Sequence, residues 1–133
     1  MKINEVIHKD KIVSEVYSLE NIPKGLTFLS DEKSFVQFGT WNYEKGKILD
    51  AHYHNNFERT STITQEIVLV LKGKILCNLY TKDKKLIETL TINKNQFIVQ
   101  YSLVHEYEIL DDSIVLEMKN GPYFGPDLDR TRV

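Results

Sequence analysis

His52 and His54 stand one residue apart in a strand-like run, and this is the pair in the chain most plainly arranged for chemistry. Side chains at i and i+2 of a strand leave from the same face, so both imidazoles would emerge side by side while Tyr53 points the other way. Two rings so placed can converge on one cation at about 2.0–2.1 Å from each nitrogen. Ile48 and Asp50 share that face, and Asp50 could contact a ligand or a ring N–H. Glu66 opens the next strand-like run, seven positions before Gly73. If the two runs are antiparallel neighbours, its carboxylate can sit beside the histidine pair. His105 opens a later run, and Tyr107 shares its inward face and could line the same pocket. Imidazole with one carboxylate suits Fe(II), Mn, Ni, Cu or Zn without choosing among them.

Other residues have blander expectations. Cys77 is the only cysteine, which excludes an intrachain disulfide; a small buried hydrophobe is its expected role. Trp41, Tyr43, Phe97 and Tyr101 read as core. Glu117 and Lys119 alternate with Leu116 and Met118 and read as a solvated face. His8 reads as solvated, and Arg130 and Arg132 as surface charges, although guanidinium suits the gripping of carboxylate or phosphate.

The elements that must position these groups are strands. Val, Ile, Thr, Tyr and Phe recur in short runs broken by Gly, Asn, Asp and Lys. Strands are predicted at Phe35–Tyr43, Lys47–His54, Glu66–Leu71, Lys74–Thr81, Leu86–Ile92, Gln96–Gln100, His105–Leu110 and Ser113–Lys119. The connections between them, such as Lys72-Gly73 and Asp111-Asp112, are too short for crossover helices, so pairing should be mostly antiparallel. About eight such strands favour a barrel or jelly roll. The expected organisation is one all-β domain over 1–133, with a barrel core at about 34–119. An N-terminal arm, 1–33, holds one strand near Ile12–Tyr17, and a turn-rich tail covers 120–133.

Composition narrows the function classes. The 133 residues are 41% hydrophobic and 27% charged, with a net charge of −2, as in ordinary globular domains. The near-neutral balance argues against nucleic acid, which needs clustered Lys and Arg. The longest aliphatic run, Ile67 to Leu71, is too short to span a bilayer. The first five residues hold no apolar signal core, so a reducing cytoplasm is the expected compartment.

Gly46, five intervening residues, His52-Tyr53-His54, then Glu66, six intervening residues and Gly73 resemble the first conserved motif of the cupin superfamily. That motif puts its Glu only a few residues after the second His, whereas eleven residues separate His54 from Glu66 here. Asn55–Gln65 is read as an enlarged hairpin loop. Glu58 competes for the ligand role on its spacing from His54; Glu66 is preferred because strand length fixes its distance to Gly73. The second motif is represented by His105, with Lys94, Gln100, Ser102 and Ile109 at its other positions. The resemblance spans Gly46 to Lys119. Gly121-Pro122-Tyr123 with Asp129-Arg130 is also similar to small cupins of bacterial sugar and surface-polysaccharide gene clusters. The resemblance implies a jelly-roll barrel with His52, His54, Glu66 and His105 holding a divalent metal inside, and a homodimer formed through the N-terminal arm.

The functional expectation is a metal-dependent enzyme on a small polar substrate, a sugar or oxo-acid, of isomerase, epimerase or oxygenase type. Glu58, Asp50 and Tyr107 are the acid–base candidates. The alternatives are a non-catalytic metal- or ligand-binding module, and a metal-independent nucleotide-sugar isomerase or epimerase using His52 or His54 as base.

Overall fold

The computed structural model describes residues 1–133 as an almost wholly β protein, 47% strand and 3% helix, with antiparallel sheets. Ten strands follow in chain order: β1 (Lys2–His8), β2 (Lys11–Ser18), β3 (Gly25–Phe28), β4 (Gly39–Asn42), β5 (Glu66–Lys72), β6 (Lys74–Tyr80), β7 (Leu86–Asn93), β8 (Gln96–Gln100), β9 (Val104–Ile109) and β10 (Ile114–Lys119). A single helical turn, α1 (Pro126–Asp129), comes last.

A five-stranded sheet, β1-β2-β8-β5-β10, faces a three-stranded sheet, β7-β6-β9, and β3 pairs only with β4. Alternation explains how the larger sheet is buried on two sides. Val16, Val68, Val70 and Ile98 face the small sheet and pack with Ile75, Cys77, Leu79, Leu90 and Ile92. Their chain neighbours Tyr17, Ile67, Phe97 and Val99 form a second cluster on the outer face with Val36, supported by Leu29 and Phe38. A strand whose faces are both covered reads as a continuous apolar run, as Phe97-Ile98-Val99 does. Each of these buried side chains removes apolar surface worth roughly 1.5–3 kcal/mol from water.

Gly73 makes the β5–β6 turn possible. Its φ of 81° lies in the left-handed region, and an added Cβ would meet the Ser113 hydroxyl and come within 2.6 Å of the Asp112 carbonyl oxygen. The turn fixes how far Glu66, at the start of β5, stands from this end of the sandwich.

Five expectations need correction. The N-terminal arm is part of the fold: β1 and β2 extend the large sheet, with β2 pairing β8 in register from Ser14↔Gln100 to Ser18↔Gln96. Lys47–His54 is not a strand, and no regular element lies between Asn42 and Glu66. The segment has no partner strand, and its apolar side chains Ile48, Leu49 and Tyr53 stay 80, 40 and 85% exposed. Instead His52 Nδ1 makes a local hydrogen bond, 2.9 Å, to the Asp50 carbonyl oxygen. Of Phe35–Tyr43 only Gly39–Asn42 is strand, because Val36 and Phe38 are taken up covering the outer face of the large sheet. Trp41 is 66% exposed rather than core, since the β3–β4 hairpin joins neither sheet. The sheets do not close into a barrel: β10 and β9 each end with an unpaired edge. No helix is long and apolar enough to cross a membrane.

Candidate functional site

The open side of the sandwich holds the site. Glu66 sits on β5 between its register partners Gln100 of β8 and Lys119 of β10. It lies in phase with Val68 and Val70, so it faces the small sheet. From that sheet, β9 brings His105 and Tyr107, which lie opposite the buried Leu79 and Cys77 of β6. Two layers thus contribute to one polar cluster at the end of an apolar core.

Within it, His105 Nε2 lies 2.9 Å from Glu66 Oε1, and the Tyr107 hydroxyl donates to the same oxygen at 3.2 Å. Gln100 Nε2 donates to Cys77 Sγ at 3.1 Å and to the Tyr107 hydroxyl at 3.5 Å. Gln100, Tyr107, Glu66 and His105 therefore form one chain of hydrogen bonds. Glu66 Oε2 makes no hydrogen bond, and the buried Gln100 Oε1 has no partner either. Every other buried side-chain acceptor or donor except Thr40 Oγ1 is satisfied, which marks Gln100 as one of only two places where polar demand is unmet.

The electrostatics follow from this geometry. Burial pushes the Glu66 carboxyl upward, but the hydrogen bond and charge of His105, with help from Tyr107 and Lys119, hold it below its ordinary 4.5. Burial pushes His105 downward, but the Glu66 hydrogen bond and charge carry it above its ordinary 6.5. Each group thus favours the charged form of the other, with the Glu66 side chain 13% and the His105 side chain 33% exposed. Burial raises Tyr107 beyond its ordinary range, so its hydroxyl stays protonated. Burial also pushes the Cys77 thiol up to about 12, which keeps it an inert thiol.

The cluster opens into a cavity of about 1380 Å³. One wall is β9, another is Glu117 and Lys119 of β10, and the rim is Ser61–Thr64 with the segment from Asn120 onward. Gln65 holds this rim in place. Its side-chain oxygen accepts from the Phe35 and Val36 amides at 2.8 and 3.1 Å, and its own amide donates to Asn120 Oδ1 at 2.7 Å. Asn120 Nδ2 in turn donates to Ser61 Oγ at 2.6 Å and to the Ile63 carbonyl at 3.1 Å.

Of the four expected metal ligands, Glu66 and His105 meet. His52 and His54 do not join them: both are exposed on the irregular 43–65 segment, their rings edge to face with centroids 5.3 Å apart. No group of three or more His, Cys, Asp or Glu side chains is arranged to hold a metal ion, so the four-ligand set does not fit this arrangement. Asp50 and Glu58 are exposed on the same segment and line no part of the cavity. Tyr107 is in the cluster, as its spacing from His105 suggests. Gln100 and Gln65 are additions: Gln100 ends the apolar run Phe97–Val99 and Gln65 stands between Thr64 and Glu66, and only the folded chain reveals what they touch.

Comparison with protein-family models, curated proteins and solved structures finds no match to this chain.

Proposed function

We propose that the cavity binds a small hydroxylated molecule, a sugar or an oxo-acid, and that Glu66 and His105 move a proton on it, as isomerisation or epimerisation requires. One observation carries this: a carboxylate and an imidazole joined at 2.9 Å in the wall of a cavity of about 1380 Å³, with the second carboxylate oxygen left without a hydrogen bond. Glu66 Oε2 can accept from a ligand hydroxyl while Oε1 orients the ring. His105 donates a proton to a developing oxyanion when charged, and accepts one from carbon or oxygen when neutral. Tyr107, held protonated, gives its one hydroxyl proton to Glu66 Oε1 and so positions the carboxylate. A positioned acid–base group of this kind contributes roughly 10²–10⁴-fold to rate.

Solvent deuterium exchange into a panel of hydroxy-ketones, aldoses and 2-oxo-acids tests this. The expected result is exchange at the carbon next to the carbonyl in at least one compound, reduced about 100-fold or more in Glu66→Gln and His105→Asn. Exchange that persists undiminished in both variants, or none with any compound, overturns it.

A second reading has its own observation. The segment bearing His52 and His54 has no regular structure and runs directly into Glu66, while β9, which carries His105, has an unpaired edge. Addition of Lys47–His54 to that edge would extend the sandwich towards a closed jelly roll and bring both imidazoles to the Glu66–His105 side. Those four residues would then hold a divalent metal. Equilibrium dialysis against Zn, Mn and Ni distinguishes the outcomes. Stoichiometric retention lost in His54→Ala and Glu66→Gln, but kept in Glu58→Gln, supports the metal; no retention, or retention indifferent to His54, rejects it.

A further inference from the structure

Acidic and basic side chains are not matched evenly around the cavity. Each carboxylate that lines it has a partner: Glu66 has His105, Glu117 has Lys119 at 2.7 Å, Glu106 accepts from Asn78 and Tyr80, and Asp129 accepts from Thr64. Among the cations that line it, Lys119 pairs with Glu117, whereas Lys82, Lys84, Arg130 and Arg132 have no carboxylate within 4.0 Å, and of these only the two arginines carry a guanidinium fork. The segment that bears them is tied to the cavity wall. Thr64 Oγ1 donates to Asp129 Oδ1 at 3.2 Å, Asn120 clamps Ser61 and Ile63, and Lys119 Nζ lies 5.0 Å from the centre of the Tyr123 ring. Two exposed arginines, one and three positions past the tie at Asp129, therefore line a cavity whose wall also carries Glu66 and His105.

We infer that Arg130 and Arg132 form an oxyanion subsite, and that the molecule taken by the cavity carries a phosphate or carboxylate group besides its hydroxyls. The inference rests on the cavity being the ligand site. Guanidinium presents a planar fork of donors that matches the oxygens of either anion, and such charge-assisted hydrogen bonds are about twice as strong as neutral ones. Lys119, already paired with Glu117 on the same wall, adds positive potential without being the main contact. With the anion at the rim, the rest of the ligand extends inward toward Glu66 Oε2 and His105. The subsite thus fixes orientation, and the dyad acts on a carbon at some distance from the anionic end.

The test is a titration of the full chain with inorganic phosphate, and separately with acetate, at low ionic strength, followed by amide NMR shifts. Saturable shifts in residues 120–133 are expected, with a midpoint about fivefold or more weaker in Arg130→Gln/Arg132→Gln. Lys24→Gln, a change at an exposed ion pair with Glu44 outside the cavity, should leave the midpoint unchanged. Saturation by phosphate alone assigns a phosphate-bearing ligand, and saturation by acetate as well extends the subsite to carboxylates. Absence of saturable shifts with both anions, or equal midpoints in the double variant and the wild type, overturns the subsite. The His105 ring signals separate this failure from that of the acid–base site. If no anion binds while Glu66→Gln still lowers the His105 titration midpoint, the subsite falls alone.

Discussion

Two carboxylates in this protein are partly or fully buried in clusters that include tyrosine, and they differ in what is left over. Glu15, 7% exposed on the outer face of the large sheet, has both oxygens occupied. Lys2 Nζ reaches Oε1 at 3.1 Å, while the hydroxyls of Tyr17 and Tyr101 donate to Oε2 at 2.9 and 2.5 Å. Three elements, β1, β2 and the residue after β8, are tied together there, and nothing remains to bind. Glu66 has two donors on one oxygen and none on the other, and it faces a cavity. Saturation and burial make Glu15 a structural tie, whereas Glu66 keeps one carboxylate oxygen open to the cavity beside a partly exposed imidazole. Burial alone would not separate the two.

The largest expected difference is in stability. Glu15→Gln places amide hydrogens among donors that need an acceptor and should cost about 2–3 kcal/mol, read as a lower urea midpoint. Glu66→Gln should cost less than about 1 kcal/mol, since its ion-pair partner is a third exposed. Equal losses would erase the distinction between tie and site.

A smaller effect is expected from the tyrosines. Tyr101→Phe removes one of the two hydroxyls that satisfy Glu15 Oε2 and should destabilise by about 1 kcal/mol. Tyr107→Phe leaves Glu66 bonded to His105 and should alter stability by less than half as much, while slowing deuterium exchange. A stability loss at Tyr107 matching that at Tyr101 would place both clusters in the same class.

The pH dependence is the finest discriminator. Glu66 lies below its ordinary 4.5, so its contribution is present above that value and is lost as pH falls through its lowered midpoint. His105 lies above its ordinary 6.5, so its contribution is full below that value and is lost as pH rises through its raised midpoint. The stability gap between wild type and Glu66→Gln should therefore be widest between about pH 4.5 and 6.5 and shrink on either side. A gap that is flat from pH 4 to 9 would mean the pair is not coupled.

Much of the fold was legible because apolar alternation is strong where both sheets press on a strand. β5 to β10 fall within a residue or so of their expected ends. β1 was not legible: as an edge strand carrying Lys2, Asn4 and Glu5 it has the charged pattern that protects an edge and hides it from a periodicity argument. The Lys47–His54 segment shows the opposite error: alternation alone does not compel pairing, and Ile48 and Tyr53 stay exposed without a partner strand. At the site, Glu66, His105 and Tyr107 were within reach of a two-residue repeat. Gln100 and Gln65 were not, because their partners lie on strands distant in sequence.

The most direct measurement is the titration of the His105 ring by NMR in wild type and in Glu66→Gln. A midpoint above 6.5 in the wild type that falls when the carboxylate is neutralised is the result the Glu66–His105 dyad requires. A midpoint at or below 6.5 that does not move with Glu66 would contradict it.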